Sequence, residues 1–131
     1  MKPPVDNLRL NVKAREKLIR LKRHTGINHW NTLCRWAFCL SLNDRRLPPE
    51  IDREKTVAVE MSWRIFAGDL DITLSALFAT WKQQTPLASE IDNGELVRRH
   101  VQRGLGILES QRISKIEELL QLSDIISTTR S

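Results

Sequence analysis

The residues best placed to do chemistry in this chain are cations. Between Arg9 and Arg23 stand seven Lys or Arg and one acid, Glu16. Lys13, Lys17, Arg20 and His24 fall at i, i+4, i+7 and i+11, one stripe on a helix that turns about 100° per residue. Arg15 and Lys22 lie on the opposite flank of the apolar positions Ala14, Leu18 and Leu21, with Arg23 between. Like charges at this spacing repel by a few tenths of a kcal/mol per pair, on the order of 0.3. A phosphate backbone relieves that repulsion, because each Lys or Arg that meets a phosphate releases counterions, largely without regard to base sequence. Lys13, Arg15, Lys17, Arg20, Lys22 and Arg23 are therefore the candidate polyanion contacts. The bland alternative is a solvated helix face. A membrane-surface helix fits less well, since the apolar side carries only Ala and Leu and is needed for the core.

A second basic cluster, Arg98, Arg99, His100 and Arg103, has Glu95 and Glu109 nearby. It reads equally as a solvated face or as a second phosphate contact. Arg45 and Arg46 sit in a charged connection and read as solvated. Signals for catalysis are poor. His24, His29 and His100 are not at metal-ligand spacing with one another or with the cysteines. There is no Gly-rich phosphate loop and no carboxylate cluster suited to Mg²⁺. Cys34 and Cys39, five steps apart in an apolar stretch, point about 140° apart on a helix and do not pair. Both read as small core hydrophobes with raised pKa. No cofactor is implied. Trp30, Trp36, Trp63 and Trp81 lie in apolar patterns and read as core, with base stacking open to any that are exposed.

These side chains need elements to hold them. The chain has 131 residues, 40% hydrophobic, with 21 Lys and Arg against 16 Asp and Glu, a net charge of +5 and a pI near 9.7. That length favours one domain spanning 1–131, with a core of about 8–108. Met1 to Asn7 reads as a loose arm and Leu8 to Asn11 as a short strand. A first helix is expected over Val12–His24, closed by Gly26 in a left-handed conformation. Asn28 then caps a second helix over His29–Leu42, apolar nearly all round. Such a helix in so small a domain calls for a second subunit.

Asn43 to Met61 reads as an exposed connection with an extended piece over Thr56–Met61. Trp63, Ile65 and Phe66 are expected to anchor the chain back onto the core. A third helix follows over Asp69–Gln84, with Leu70, Leu74, Leu77, Phe78 and Trp81 inward and Pro86 as its stop. A fourth runs over Asp92–Glu109, where Gly104 and Gly106 point to close approach of another backbone or to a break. A fifth amphipathic stretch covers Ser110–Ser127, with Thr128 to Ser131 fraying, so 109–131 forms a C-terminal helical extension. The fold class is all-α: a compact domain of about five helices with a short N-terminal strand. The N-terminus carries no signal-peptide pattern, no apolar run is long enough to span a bilayer, and the cysteine usage suits a reducing compartment. A soluble, cytoplasmic protein is expected.

The segment AREKLIRLKRHTGINHWNTLCRWAFCLSL (Ala14 to Leu42) resembles the DndE family, the small E component of bacterial DNA phosphorothioation systems, which place sulfur in the DNA backbone. VEMSWRIFAGD (Val59 to Asp69) and RRHVQRGLGIL (Arg98 to Leu108) are similar to later family segments in the same order. The resemblance covers about Leu8 to Leu108 and carries nothing over to the tail. It implies a small helical, non-enzymatic DNA-binding protein whose N-terminal half is ribbon-helix-helix-like. It also implies a homo-oligomer, a tetramer being the expected form, and a preference for nicked duplex. The first-helix residues Lys13, Arg15, Lys17, Arg20, Lys22 and Arg23 are the implied DNA contacts. The implied partners are a cysteine desulfurase, an iron–sulfur reductase-like protein and an ATPase. Two alternatives remain beside this one: a ribbon-helix-helix transcriptional regulator, and an oligomeric scaffold docking an acidic protein. A sulfur carrier using Cys34 or Cys39 is a third.

Overall fold

The computed structural model describes residues 2–52 and 56–111. Strand β1 (Asn7–Leu10) pairs antiparallel with β2 (Val59–Ser62), Leu8 opposite Met61 and Arg9 opposite Glu60. Strand alternation turns Leu8 and Leu10 into the core and leaves Arg9 outside, where it meets Glu60 at 3.0 Å. The strand ends one residue earlier than its apolar–polar pattern suggests. Asn11 leaves the ladder because its side chain accepts from the Ala14 N–H at 2.9 Å, capping α1 (Val12–Thr25). Gly26 closes that helix at φ 74°, with its N–H on the Lys22 carbonyl. A strand followed by two helices is the expected order, but β1 finds its partner within the same chain.

Helix α2 (Trp30–Leu42) has His29, not the expected Asn28, at its N-cap position. The His29 carbonyl takes the Thr32 and Leu33 N–H groups, and no side chain caps this end. Within the chain α2 buries Leu33, Cys34, Ala37, Phe38 and Ser41; Trp30, Trp36 and Leu40 are half-buried and Cys39 is exposed. The connection that follows is mostly exposed, although Pro48 is buried.

The third helix divides where a single one is expected. Ser62 caps a one-turn helix α3 (Trp63–Ala67), accepting from the Ile65 N–H. Gly68, at φ 56°, breaks it, and a 3-10 turn (Gly68–Leu70) leads into α4 (Asp71–Gln83). In the short α3 only positions i, i+3 and i+4 share a side, so Trp63, Phe66 and Ala67 are buried while Ile65 is 58% exposed and anchors nothing. Helix α4 turns Leu74, Ser75, Phe78 and Trp81 inward and leaves Leu77 exposed, and Leu70, in the preceding turn, is exposed as well. Pro86 opens a second 3-10 turn (Pro86–Glu90).

Helix α5 (Asn93–Ser110) is capped by Asp92 and runs antiparallel against α2 through the core. Gly104 permits the approach, its Cα lying against the Ala37 backbone. Phe38, Phe66, Phe78, Trp63, Trp81 and His100 pack largely edge to face in the space between. The expected fifth helix lies, beyond Gln111, outside the described residues. No helix among the described residues is long and apolar enough to cross a membrane. The molecule is thus mostly helical with one small antiparallel ribbon.

Candidate nucleic-acid interface

Helix α1 is held at both ends and along one side. Asn11 and Gly26 close the ends, and Ala14, Leu18, Leu21 and Thr25 are buried. Everything basic is therefore forced to the flanks and crown. Lys13, Arg15, Arg20, Lys22 and Arg23 are exposed and Lys17 is half-buried. Lys22, Arg23 and His24 also occupy the last turn, where the helix dipole favours cations.

The fold treats the two flanks differently. On one, Lys13 meets Asp52 at 3.0 Å and Arg20 meets Glu109 of α5 at 2.9 Å. The Glu109 carboxylate raises the Arg20 pKa further. Lys17 on this flank lies near Gly106, its Nζ 3.8 Å from where a Cβ there would stand. On the crown and the other flank, Arg15, Lys22 and Arg23 have no acid partner among the described residues. The six predicted contacts thus share one helix but not one electrostatic state. Glu109 is the residue the spacing argument missed as a partner. It stands 89 positions from Arg20, and nothing local connects the two.

The second basic cluster is tied into the fold by partners of its own. Arg98 and Arg99 both bond Glu95, at 2.6 and 3.0 Å. Burial works to raise the Glu95 pKa, but the bonds from Arg99 and Arg98 outweigh it and the net shift is downward. Arg103 turns inward and donates to the Ser41 hydroxyl and to the carbonyls of Ser41, Asp44 and Arg46. It ties off the C-terminal end of α2, where carbonyls lack helical partners. His100 is fully buried, its Nδ1 2.7 Å from the Ser41 hydroxyl. Arg45 and Arg46 are exposed as expected, Arg46 pairing with Asp44.

The cysteines separate. Cys34 is buried, and burial pushes its thiol up to about 12. Cys39 is exposed, which corrects its expected place in the core; partial desolvation still raises its pKa, opposed by Arg35. Trp63 and Trp81 are buried with their indole N–H groups on Asp71 and the Asp44 carbonyl, so neither can stack on a base. Among the described residues no three His, Cys, Asp or Glu are grouped to hold a metal.

A family model described as DNA sulphur modification protein DndE matches residues 7–115, most of the chain. The chain belongs to the DndE family. No curated protein matches it. The family match includes α1, its capping Asn11 and the Glu109 partner of Arg20, and it stops short of residues 116–131. Membership in the DndE family associates the chain with the DNA sulfur modification machinery.

Proposed function

We propose that this protein is a non-catalytic, DNA-binding component of the phosphorothioation machinery, binding duplex DNA through α1 as part of a homo-oligomer. The observation that carries the reading is the cationic crown and flank of α1, Arg15, Lys22 and Arg23, which have no acid partner among the described residues, in a family of DNA sulfur modification. Lys13, Lys17 and Arg20 border that surface and add long-range charge. Helix α2 supports assembly: Trp36 and Leu40 are only half-buried by their own chain, on the flank away from Arg35. A tetramer would present four copies of α1, and multivalent contact strengthens binding well beyond a single site. Nicked or otherwise interrupted duplex is the proposed preferred substrate. A cysteine desulfurase, an iron–sulfur reductase-like protein and an ATPase, acting in the cytoplasm, are the proposed partners.

The test compares binding to intact, nicked and single-stranded DNA at two salt concentrations, with the oligomer's mass measured in the same buffer. Binding should weaken steeply with salt, and Lys17→Glu, Arg20→Glu and Lys22→Glu together should abolish it. Unchanged affinity in that triple variant sinks the reading. The ribbon-helix-helix regulator is disfavoured by one observation: β1 is paired in cis with Arg9 held by Glu60, so its outward residues are not presented to a groove.

A further inference from the structure

Helix α4 has one side that stays open to solvent. Its buried side is Leu74, Ser75, Phe78 and Trp81. Across from these, Ile72, Ala76 and Ala79 run along the helix at i, i+4 and i+7, and Thr73, Leu77 and Thr80 run beside them at the same spacing. Ala76 is half-buried and the other five are exposed, Ile72 by 72%. Gln83 and Gln84 continue the two rows to the helix end. No residue of this face is charged, although 28% of the chain is Asp, Glu, Lys or Arg. A helix side meant for water is where such a chain puts its charges, as α1 does.

The charges stand at the two ends instead. Asp69 is exposed in the turn before α4, seven residues, or about two turns, ahead of Ala76. Lys82 borders the face in the last turn, its ammonium on the neutral Asn93 side chain. Neither has an ion-pair partner among the described residues. A face that is acidic at one end, neutral along its middle and basic at the other end matches its own antiparallel copy. A two-fold contact requires a patch that is complementary to itself in this way. The chain carries a net charge of +5, so two copies meet at least electrostatic cost where the surface is neutral.

An axis through Ala76 fixes the register. Ile72 comes level with the Thr80 of the second copy, and Thr73 with its Ala79, so the large branched side chain meets a small one. Ala76 meets itself, and its methyl group lets the two helices approach closely. Asp69 comes level with Gln83, within reach of the long stem of Lys82. At about 20 Å, α4 makes a small contact beside the roughly 800 Å² per partner of a stable dimer, so it acts together with a second interface.

We propose that α4 is a two-fold contact between copies of this chain, packed antiparallel on the α4 of another copy and centred on Ala76. The inference rests on the reading of the protein as a homo-tetramer and assigns part of that assembly. A tetramer of dihedral symmetry uses two different self-complementary patches. The α2 flank with Trp36 and Leu40 supplies one and α4 the other. No residue of this face belongs to α1, so the contact consumes none of the α1 cations.

The test measures the mass of the full-length chain by sedimentation at micromolar concentration. Ala76→Glu and Ile72→Glu should each halve the mass of the wild-type oligomer, with far-ultraviolet circular dichroism unchanged because both substitutions lie outside the buried side of α4. A wild-type oligomer that neither substitution changes overturns the α4 contact and leaves assembly through α2 standing. A monomeric wild type overturns both. Asp69→Lys should weaken assembly, and adding Lys82→Asp should restore it; failure to restore overturns the pairing of the ends. In a Cys39→Ser chain, Ala76→Cys should give a disulfide-linked dimer under mild oxidation. Ile72→Cys chains should link to Thr80→Cys chains and not to themselves; self-linking of Ile72→Cys overturns the antiparallel register.

Discussion

Gly104 of α5 lies so close to the Ala37 backbone of α2 that a Cβ at position 104 would overlap the Ala37 carbonyl. The approach brings the two longest stretches of core together and sets the height at which Ser41 meets His100. Gly106, two residues on, has no such neighbour; its nearest is the mobile end of Lys17, at 3.8 Å from a Cβ placed there. The two glycines should therefore respond oppositely to alanine. Gly104→Ala forces the helices apart and should destabilise by about 2–3 kcal/mol, despite alanine's better helix propensity. Gly106→Ala should stabilise by about 0.5–1 kcal/mol. Urea denaturation of both variants checks the pair.

His100 should make the protein sensitive to mild acid. Desolvation, helped by the charge of Arg103 and opposed by Asp44, lowers its pKa to about 3. Above pH ~6.5 the ring is neutral folded or unfolded, and its contribution to stability is complete. As pH falls from there toward 3, the unfolded chain takes up a proton that the folded chain refuses, so stability is lost. The loss should reach about 1 kcal/mol between pH 7 and 5.5. Asp44, held low mainly by its bonds from Arg46, and Glu95 lose their own contributions only at more acidic pH. His100→Asn should be less stable at neutral pH but flat across that window. Denaturation midpoints at the two pH values decide it.

Arg103 is a structural tie, and its loss should show in stability before it shows in DNA binding. Its Nε donates to the Ser41 oxygen, which also lies 2.7 Å from His100 Nδ1, so the three side chains form one network. The His100 Nε2 has no hydrogen-bond partner among the described residues; the ring stands edge-on to Trp81 with centroids 4.1 Å apart. Arg103→Met strips four hydrogen bonds from this network and should cost about 3–5 kcal/mol. Arg103→Lys should rescue little, since an ammonium cannot reproduce the planar fork. The salt dependence of DNA binding by the folded variant should keep its slope; a reduced slope would mean that Arg103 does meet phosphate.

The asymmetry of α1 gives a sharper test of the interface than loss of charge alone. Arg15→Glu, Lys22→Glu and Arg23→Glu together should lower duplex affinity by about a hundredfold and flatten the log–log salt slope by about 3. Glu109→Gln removes the acid that occupies Arg20 and should tighten binding about two- to threefold at low salt. If Glu109→Gln leaves affinity unchanged while Arg20→Ala weakens it, then Arg20 already leaves Glu109 for phosphate in the complex. Fluorescence anisotropy on a short duplex measures all of these.

The chain's own periodicities settled much of this protein. The apolar spacing of Ala14, Leu18 and Leu21, the glycine at 26, and the inward row Val97, Val101, Leu105 and Leu108 each come from local steric and solvation rules, and the elements they predict are present. The family was legible for a similar reason, because the dense run from Ala14 to Leu42 is contiguous. Local rules failed where short elements left the register open. A one-turn α3 and the break at Gly68 turned Ile65, Leu70 and Leu77 outward, and Asn11 passed from strand to cap. What only the tertiary structure decided is which cations are still available. Arg20 and Arg103 are equally basic in the sequence; the packing of α5 on α1 and α2 hands one a carboxylate and the other the open carbonyls of a helix end. Charge is a property of a residue, but its pairing depends on which distant groups the core brings within about 3 Å.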